Sequence, residues 1–328
     1  MSFPDDSTPA PVAAETPPLS LGPRTAAIRY TEIGYLLAAI GALLFSTKAV
    51  TVKLAYMESV SAETLLALRM GLALPIYLAI GLLAVVDRRR KGVALPDGRT
   101  AGKAALIGLL GYWFASYTDF LGLQYITAQF ERLILFTYPL FVVVLGALFF
   151  GQPMRLRTLA AIAVSYVGLI VIFAEKVTDL GADVALGAGL VLAAAIAFAL
   201  YQLLAKPVIA AMGPRLFTCV AMSGAAAGAF VQFLLTHPVA DLAVSQRVLA
   251  LSLFIAIGAT VLPSFFLNAA LHRISAQANA TIGTLSPVMT IILAVIVLGE
   301  RLTLLDLAGT ALVIAGVGWF TLADRKAA

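Results

Sequence analysis

The chain is poor in charge. Asp, Glu, Lys and Arg make up 12% of its 328 residues, against about 25% in an ordinary soluble domain. It is poorer still in the residues that build cross-links and metal centres. A single cysteine, Cys219, lies inside an apolar run, which excludes a disulfide framework and a cysteine metal site. The two histidines, His237 and His272, stand at the ends of separate apolar runs and form no ligand pair. Enzyme signatures are missing as well: there is no phosphate loop, no GxSxG elbow and no HExxH. No cofactor or metal is therefore expected. The formal charge of +5 does not point to nucleic acid, because the basic residues lie between apolar runs.

What is present is apolar length. Stretches of about 20 apolar residues, the length that crosses a hydrocarbon core, recur through most of the chain. Backbone in lipid must satisfy its own hydrogen bonds, so such runs are helices. A membrane β-barrel would instead show alternating segments of about ten residues, and none are visible. Ten spans are expected: Ile33–Ala55, Ala62–Val86, Lys103–Leu123, Ala128–Phe150 and Thr158–Phe173, then Leu186–Ala205, Arg215–Leu235, Val248–Leu271, Ala276–Leu298 and Leu304–Leu322. Residues 1–31, rich in Pro, Ala, Thr and Ser, read as a disordered cytoplasmic tail. They lack the positive start and short apolar core of a signal peptide.

Loop charge sets the orientation. With the N-terminus inside, fifteen basic residues fall on the inner side: Arg24, Arg29, Arg88, Arg89, Arg90, Lys91, Arg99, Lys103, Arg155, Arg157, Lys206, Arg215, Arg273, Arg325 and Lys326. Only Lys176, Arg247 and Arg301 fall in outer loops. Both termini are expected on the cytoplasmic side of a bacterial-type inner membrane.

The chain repeats itself. ITAQFERLILFTYPLFVVVLGALFFGQ from Ile126 aligns without a gap on ISAQANATIGTLSPVMTIILAVIVLGE from Ile274, an offset of 148 residues. The same offset pairs Gln129 with Gln277, Pro139 with Pro287, Gly151 with Gly299 and Gly168 with Gly316. Gln, Pro and Gly at fixed spacing separate this from the chance likeness of two apolar helices. Five spans per half is an odd number, so the halves are expected upside down relative to each other, over residues 32–175 and 184–323. Inverted repeats are a recurrent plan of secondary transporters, with the substrate near the midplane between the halves.

The same segments, a small-residue helix start, a mid-helix proline and a Gly-Glu exit, resemble the EamA type of the drug/metabolite transporter superfamily. The likeness covers roughly residues 35–322. It implies an all-α fold of ten helices in two inverted five-helix repeats, moving small metabolites. Gln152 departs from the pattern, holding the place that Glu300 fills in the second half. Lys53, Lys206 (in FALYQLLAKP) and Arg69 (in LALRMGLAL) look like basic residues of that family.

Ionisable groups within a span are expensive and are functional candidates by default. Lys48, Lys53, Glu63, Arg69, Asp119, Glu131 and Arg132 all lie within first-half spans, mostly toward the outer side. The second half has almost none away from its ends. Tyr112, Ser116 and Asp119 share one helix face at i, i+4 and i+7. Gln129, Arg132 and Phe136 share another, and Gln277, Thr281 and Thr284 a third. Such stripes are either interhelical glue or a cavity wall. With the aromatics Trp113, Phe114, Tyr138 and Tyr201 nearby, the candidate substrate site is Lys48, Tyr112, Ser116, Asp119, Gln129, Arg132, Phe136, Tyr201, Asn268, Gln277 and Thr281. Asp119 and Glu131 are the candidates for carrying a proton. Pro139, Pro263 and Pro287 are expected to kink their helices. Gly224, Gly228 and Gly309 read as close-packing positions.

The expected function is secondary transport, directed outward, of an amino acid or another carboxylate or zwitterion. The partners are the solute, the bilayer and, in a homodimer, a second copy. Three alternatives stand beside it: a carrier of a neutral heterocycle, a non-transporting membrane scaffold, and an intramembrane enzyme using Asp119 and Glu131. Paired acids or histidines at mid-depth on facing helices would mark the last, but acids away from span ends occur in the first half alone, toward the outer side.

Overall fold

The computed structural model describes residues 23–151, 160, 163–164, 166–168, 170–172, 174, 183–275, 278–279, 282 and 285–325. Among them every regular element is helical. In chain order these are α1 (Pro23–Tyr56), α2 (Ala62–Arg90), α3 (98–125), α4 (Ala128–Phe150), α5 (Asp183–Met212), α6 (Pro214–Thr236), α7 (Gln246–Arg273), α8 (285–298) and α9 (Leu304–Arg325). The described residues within 160–174 are helical too, and most of the fifth expected span lies outside the description. Among the described residues, six helices are long and apolar enough to cross a membrane: Tyr30–Tyr56, α2, α4, α5, α6 and α7. Ser286–Leu298 and Leu304–Gly316 are shorter apolar helices.

The first described helix begins at Pro23, inside the segment expected as a tail. Proline suits a first helical turn, where its missing N–H costs nothing, and hydropathy alone does not register it. Elsewhere helix starts follow local chemistry. Ser61 caps α2 through Thr64 N–H, Asp97 caps α3 through Thr100 N–H, and Ser245 caps α7 through Val248 N–H. The hydrogen bonds from Thr100 hold the exposed Asp97 carboxyl below the usual carboxylate range.

The helices pair mostly across the two halves of the chain. α1 runs along α7, α2 along α6, and α3 along α5 and α6. The α3–α6 crossing depends on absent side chains. A Cβ on Gly108 would collide with the Ala221 backbone, and one on Gly224 would sit 2.7 Å from the Ala105 carbonyl oxygen. Two backbones that close require small residues, which bears out the packing reading of Gly224.

Four of these helices are irregular: α8 ends in a π turn at Ala294–Leu298, and the irregularities of α3 and α7 recur. In α3 a π turn, Leu109–Phe114, links Gly98–Gly108 to Ala115–Tyr125. In α7 a π turn at Ile257–Val261, 148 residues on, precedes Leu262–Arg273. Both helices end in an extended residue, Ile126 and Ile274. A hydroxyl then caps the next segment: Thr127 through Phe130 N–H and Ser275 through Ala278 N–H. Gly151 and Gly299 close α4 and α8 in the left-handed conformation, at φ 64° and 67°. The internal repeat of the sequence is thus a repeat of local geometry. α4 adds a break of its own: Ala128–Leu135 and Tyr138–Phe150 are separate helices joined at Phe136–Thr137. The bend expected at Pro139 falls just before it, where the proline ring cannot accommodate a preceding turn.

Candidate functional site

A cavity of about 60 Å³ lies among α1, α2, α3, α4, α5, α7 and α8. Phe45 and Lys48 come from α1, Arg69 from α2, Gly111, Tyr112, Ala115, Ser116 and Asp119 from α3, and Arg132, Leu135, Phe136 and Tyr138 from α4. The second half contributes Ala194, Phe198, Leu267 and Ser286. The π turn of α3 and the break of α4 both sit in this wall.

The lining charges are withdrawn from solvent, none of them more than 3% exposed. Lys48 Nζ donates to Asp119 Oδ2 at 2.5 Å. It also lies 4.6 Å from the centre of the Phe45 ring, as a cation held over an aromatic face. Arg132 faces the same ring from 5.4 Å and donates Nη2 to the Phe45 carbonyl at 3.3 Å. Its Nε stands 3.7 Å from Glu131 Oε2. Arg69 donates Nε to Thr260 Oγ1 at 2.8 Å and stacks 5.5 Å from Phe120, while its Nη1 has no hydrogen-bond partner. Three cations therefore meet two acids. Buried charge of this kind is stable only when paired, and among these five groups the positive charges outnumber the negative by one.

A neutral network stands behind the cavity. Tyr201 donates its hydroxyl to Asn268 Oδ1 at 2.5 Å, and Asn268 Nδ2 donates to Thr218 Oγ1 at 2.9 Å. Tyr112 and Tyr201 hydroxyls are 3.2 Å apart, with their rings edge to face at 4.9 Å. Tyr77 and Ser264 exchange a hydrogen bond at 2.8 Å between α2 and α7.

Of the expected site residues, the structure brings Lys48, Tyr112, Ser116, Asp119, Arg132 and Phe136 to the cavity wall. Four others, the proton candidate Glu131 among them, are buried and do not line it. Tyr201 and Asn268 are engaged in the neutral network and hold Tyr112. Gln129 is 4% exposed, and Glu131 lies behind Arg132 with neither carboxylate oxygen hydrogen-bonded. Gln277 and Thr281, with Thr284, lie outside the described residues. Sequence reasoning missed Phe45, Phe198 and Ser286 as lining residues, and placed Arg69 among the buried charges without assigning it to the site. The signal for Arg69 was its position within a span; the others look like ordinary helix packing.

Helical architecture among the described residues, apolar helices of membrane length and a cavity lined by buried charges fit an integral membrane protein. The chain matches the EamA-like transporter family over residues 32–174 and again over 185–322, and it belongs to that family, within the drug/metabolite transporter superfamily. It is 27% identical over 290 residues to the uncharacterized transporter YcbK of Bacillus subtilis (strain 168), covering 86% of this chain and 90% of that one. It is 23% identical over 238 residues to an uncharacterized transporter of Clostridium kluyveri, covering 71% and 76%. A protein of known crystal structure superposes with a TM-score of 0.64 at 17% identity, over 89% of this chain and 98% of the other. That likeness concerns the fold alone.

Proposed function

We propose that this transporter moves a small metabolite bearing a carboxylate, as an anion or a zwitterion, by alternating access between two inverted five-helix halves. The observation that carries the substrate class is the charge imbalance of the cavity, with Lys48, Arg69 and Arg132 set against Asp119 and Glu131 and Arg69 Nη1 lacking a partner. A guanidinium takes a carboxylate in two parallel hydrogen bonds, and an enclosed site strengthens the attraction. The π turns, caps and left-handed glycines that recur at an offset of 148 support the two-half plan. Five spans in each half imply their opposite orientation.

The test is a thermal-shift screen of the purified protein, followed by flux measurements in proteoliposomes. Carboxylates and zwitterions are expected to raise the melting temperature, and the best of them to cross the bilayer, with export the expected direction. Stabilisation by uncharged heterocycles alone would overturn the substrate class, and no flux of any solute under any gradient would overturn transport. A second reading, a flat neutral heterocycle, is favoured by the aromatic wall, where Phe45 and Phe198 stack at 6.3 Å and 10°. Coupling to protons would run through the buried carboxyls. In that case Glu131→Gln keeps flux while abolishing its response to a pH gradient; an unchanged response removes Glu131 from coupling.

A further inference from the structure

Glu300 lies outside the cavity and has no part in the substrate reading, yet from the other half of the chain it holds the start of α4, a helix that contributes to the cavity wall. Gly299 ends α8 in the left-handed conformation, at φ 67°, and turns the chain so that Glu300 faces the start of α4. There Glu300 Oε1 accepts from Ala128 N–H at 2.8 Å and Oε2 from Gln129 N–H at 3.2 Å. A helix leaves its first N–H groups without partners of its own. Here two are met by a carboxylate from the other half of the chain, where the helix dipole also favours negative charge. Thr127 Oγ1 meets a third, Phe130 N–H, at 3.2 Å.

The segment held in this way is short and independent. Ala128–Leu135 spans eight residues. Beyond it the backbone tightens: Thr137 N–H donates to Ile134 O and Leu140 N–H to Thr137 O, each at 2.9 Å. One end is clasped by Glu300 and the other is hinged at Phe136–Thr137. Between and at the hinge stand Glu131, Arg132 and Phe136, the last two in the cavity wall. Lys53, at the end of α1, lies within electrostatic reach of both Glu300 and Glu131.

We propose that Glu300 is a positioning residue for the transport cycle. By capping α4 it holds Arg132 and Phe136 in the cavity and keeps the adjacent mouth shut; exchange of that cap for Lys53 lets Ala128–Leu135 swing about Phe136–Thr137 and opens the mouth. On the orientation given by loop charge, this mouth is the outer one. The side, though not the clasp, rests on the proposed alternating-access scheme. The matching position of the first half is the neutral Gln152, outside the described residues, so the charged clasp belongs to one side of the molecule by sequence.

The experiment reads the gate without any substrate, so it stands apart from the substrate assignment. Cys219, the only cysteine, is replaced by Ala, and Ser116 in the cavity wall by Cys. Sealed right-side-out and inverted vesicles are then labelled with a membrane-impermeant maleimide. Glu300→Ala is expected to raise labelling at least tenfold in right-side-out vesicles and not in inverted ones. Glu300→Gln, which keeps one acceptor and loses the charge, falls between it and the parent and serves where the alanine variant fails to fold. Labelling equal to the parent in both variants overturns the proposal. So does an equal rise from both sides, which reports general loosening, or a rise confined to inverted vesicles.

Discussion

The two halves of the chain share a scaffold and differ in chemistry. At an offset of 148 the first half places Asp119, Glu131 and Arg132 where the second places Leu267, Asn279 and Ala280. The backbone around these positions is the same in kind: a π turn, an extended residue, a hydroxyl cap and a left-handed glycine. Ser116 and Ser264 even pair directly. The scaffold is therefore not what makes the charges necessary. The ionic groups of the cavity belong to one half, and the other presents Phe198, Leu267 and Ser286 to them. Under alternating access the neutral half can slide against a substrate whose charge remains attached to the first.

Copying second-half residues into the first half tests that difference. Asp119→Leu reproduces Leu267 and leaves the Lys48 ammonium buried without its acid. It should cost about 3–5 kcal/mol, because breaking a buried pair strands a charge, seen as a large drop in melting temperature in detergent. Adding Lys48→Met should restore most of that stability while flux stays absent; a double variant that still transports would refute a charged binding half. Arg132→Ala reproduces Ala280. Its expected loss is at least about tenfold in affinity for a carboxylate ligand, or about 1.4 kcal/mol or more, measured by titration of the thermal shift. Unchanged carboxylate affinity would move the site away from α4.

Changes to the shared scaffold should be smaller. Asn268→Leu leaves the Tyr201 and Thr218 hydroxyls without their partner, at roughly 1–3 kcal/mol. Little loss of carboxylate affinity is expected, since neither residue lines the cavity. A strong affinity loss with intact stability would instead place the neutral network in contact with substrate. Smallest are Gly151→Ala and Gly299→Ala, each forcing a side chain into the left-handed region at roughly 1 kcal/mol. Near-equal losses in melting temperature are the signature of a shared scaffold, and a wide gap between them would separate the halves.

Much of the fold was legible because lipid imposes it. Span length and loop composition follow directly from the hydrocarbon thickness, and α2, α4, α5, α6 and α7 begin within two or three residues of where the pattern put them. The stripe Tyr112, Ser116 and Asp119 was legible because three polar residues on one helix face need a common exit from lipid. The aromatic wall was not. A helix buried on several sides is apolar all round, so its pattern names no face, and nothing distinguishes Phe45 or Phe198 from packing residues. Arg69 was visible as a buried charge, but its partner Thr260 is 191 positions away, and no local pattern carries such a contact. The cap on α4 escaped for the same reason: Glu300 is 172 positions from Ala128. The π turns escaped because glycines and aromatics such as those of Leu109–Phe114 also occur in the regular parts of spans.

Those turns also set the sensitivity of the molecule to deletion. Each residue advances a helix by about 100°. The stretch of α3 beyond Leu109–Phe114 is aimed by the extra residue that the π turn absorbs, and so is the matching stretch of α7. Removing one residue from Leu109–Phe114 would turn the wide turn into an ordinary one and leave Asp119 facing Lys48. The same deletion between Ser116 and Asp119 has no such outlet: Asp119 would rotate away from Lys48 by that angle, although no residue that touches the cavity's charge had been altered. Tolerance to a change of length in this part of the chain is thus concentrated at its π turn.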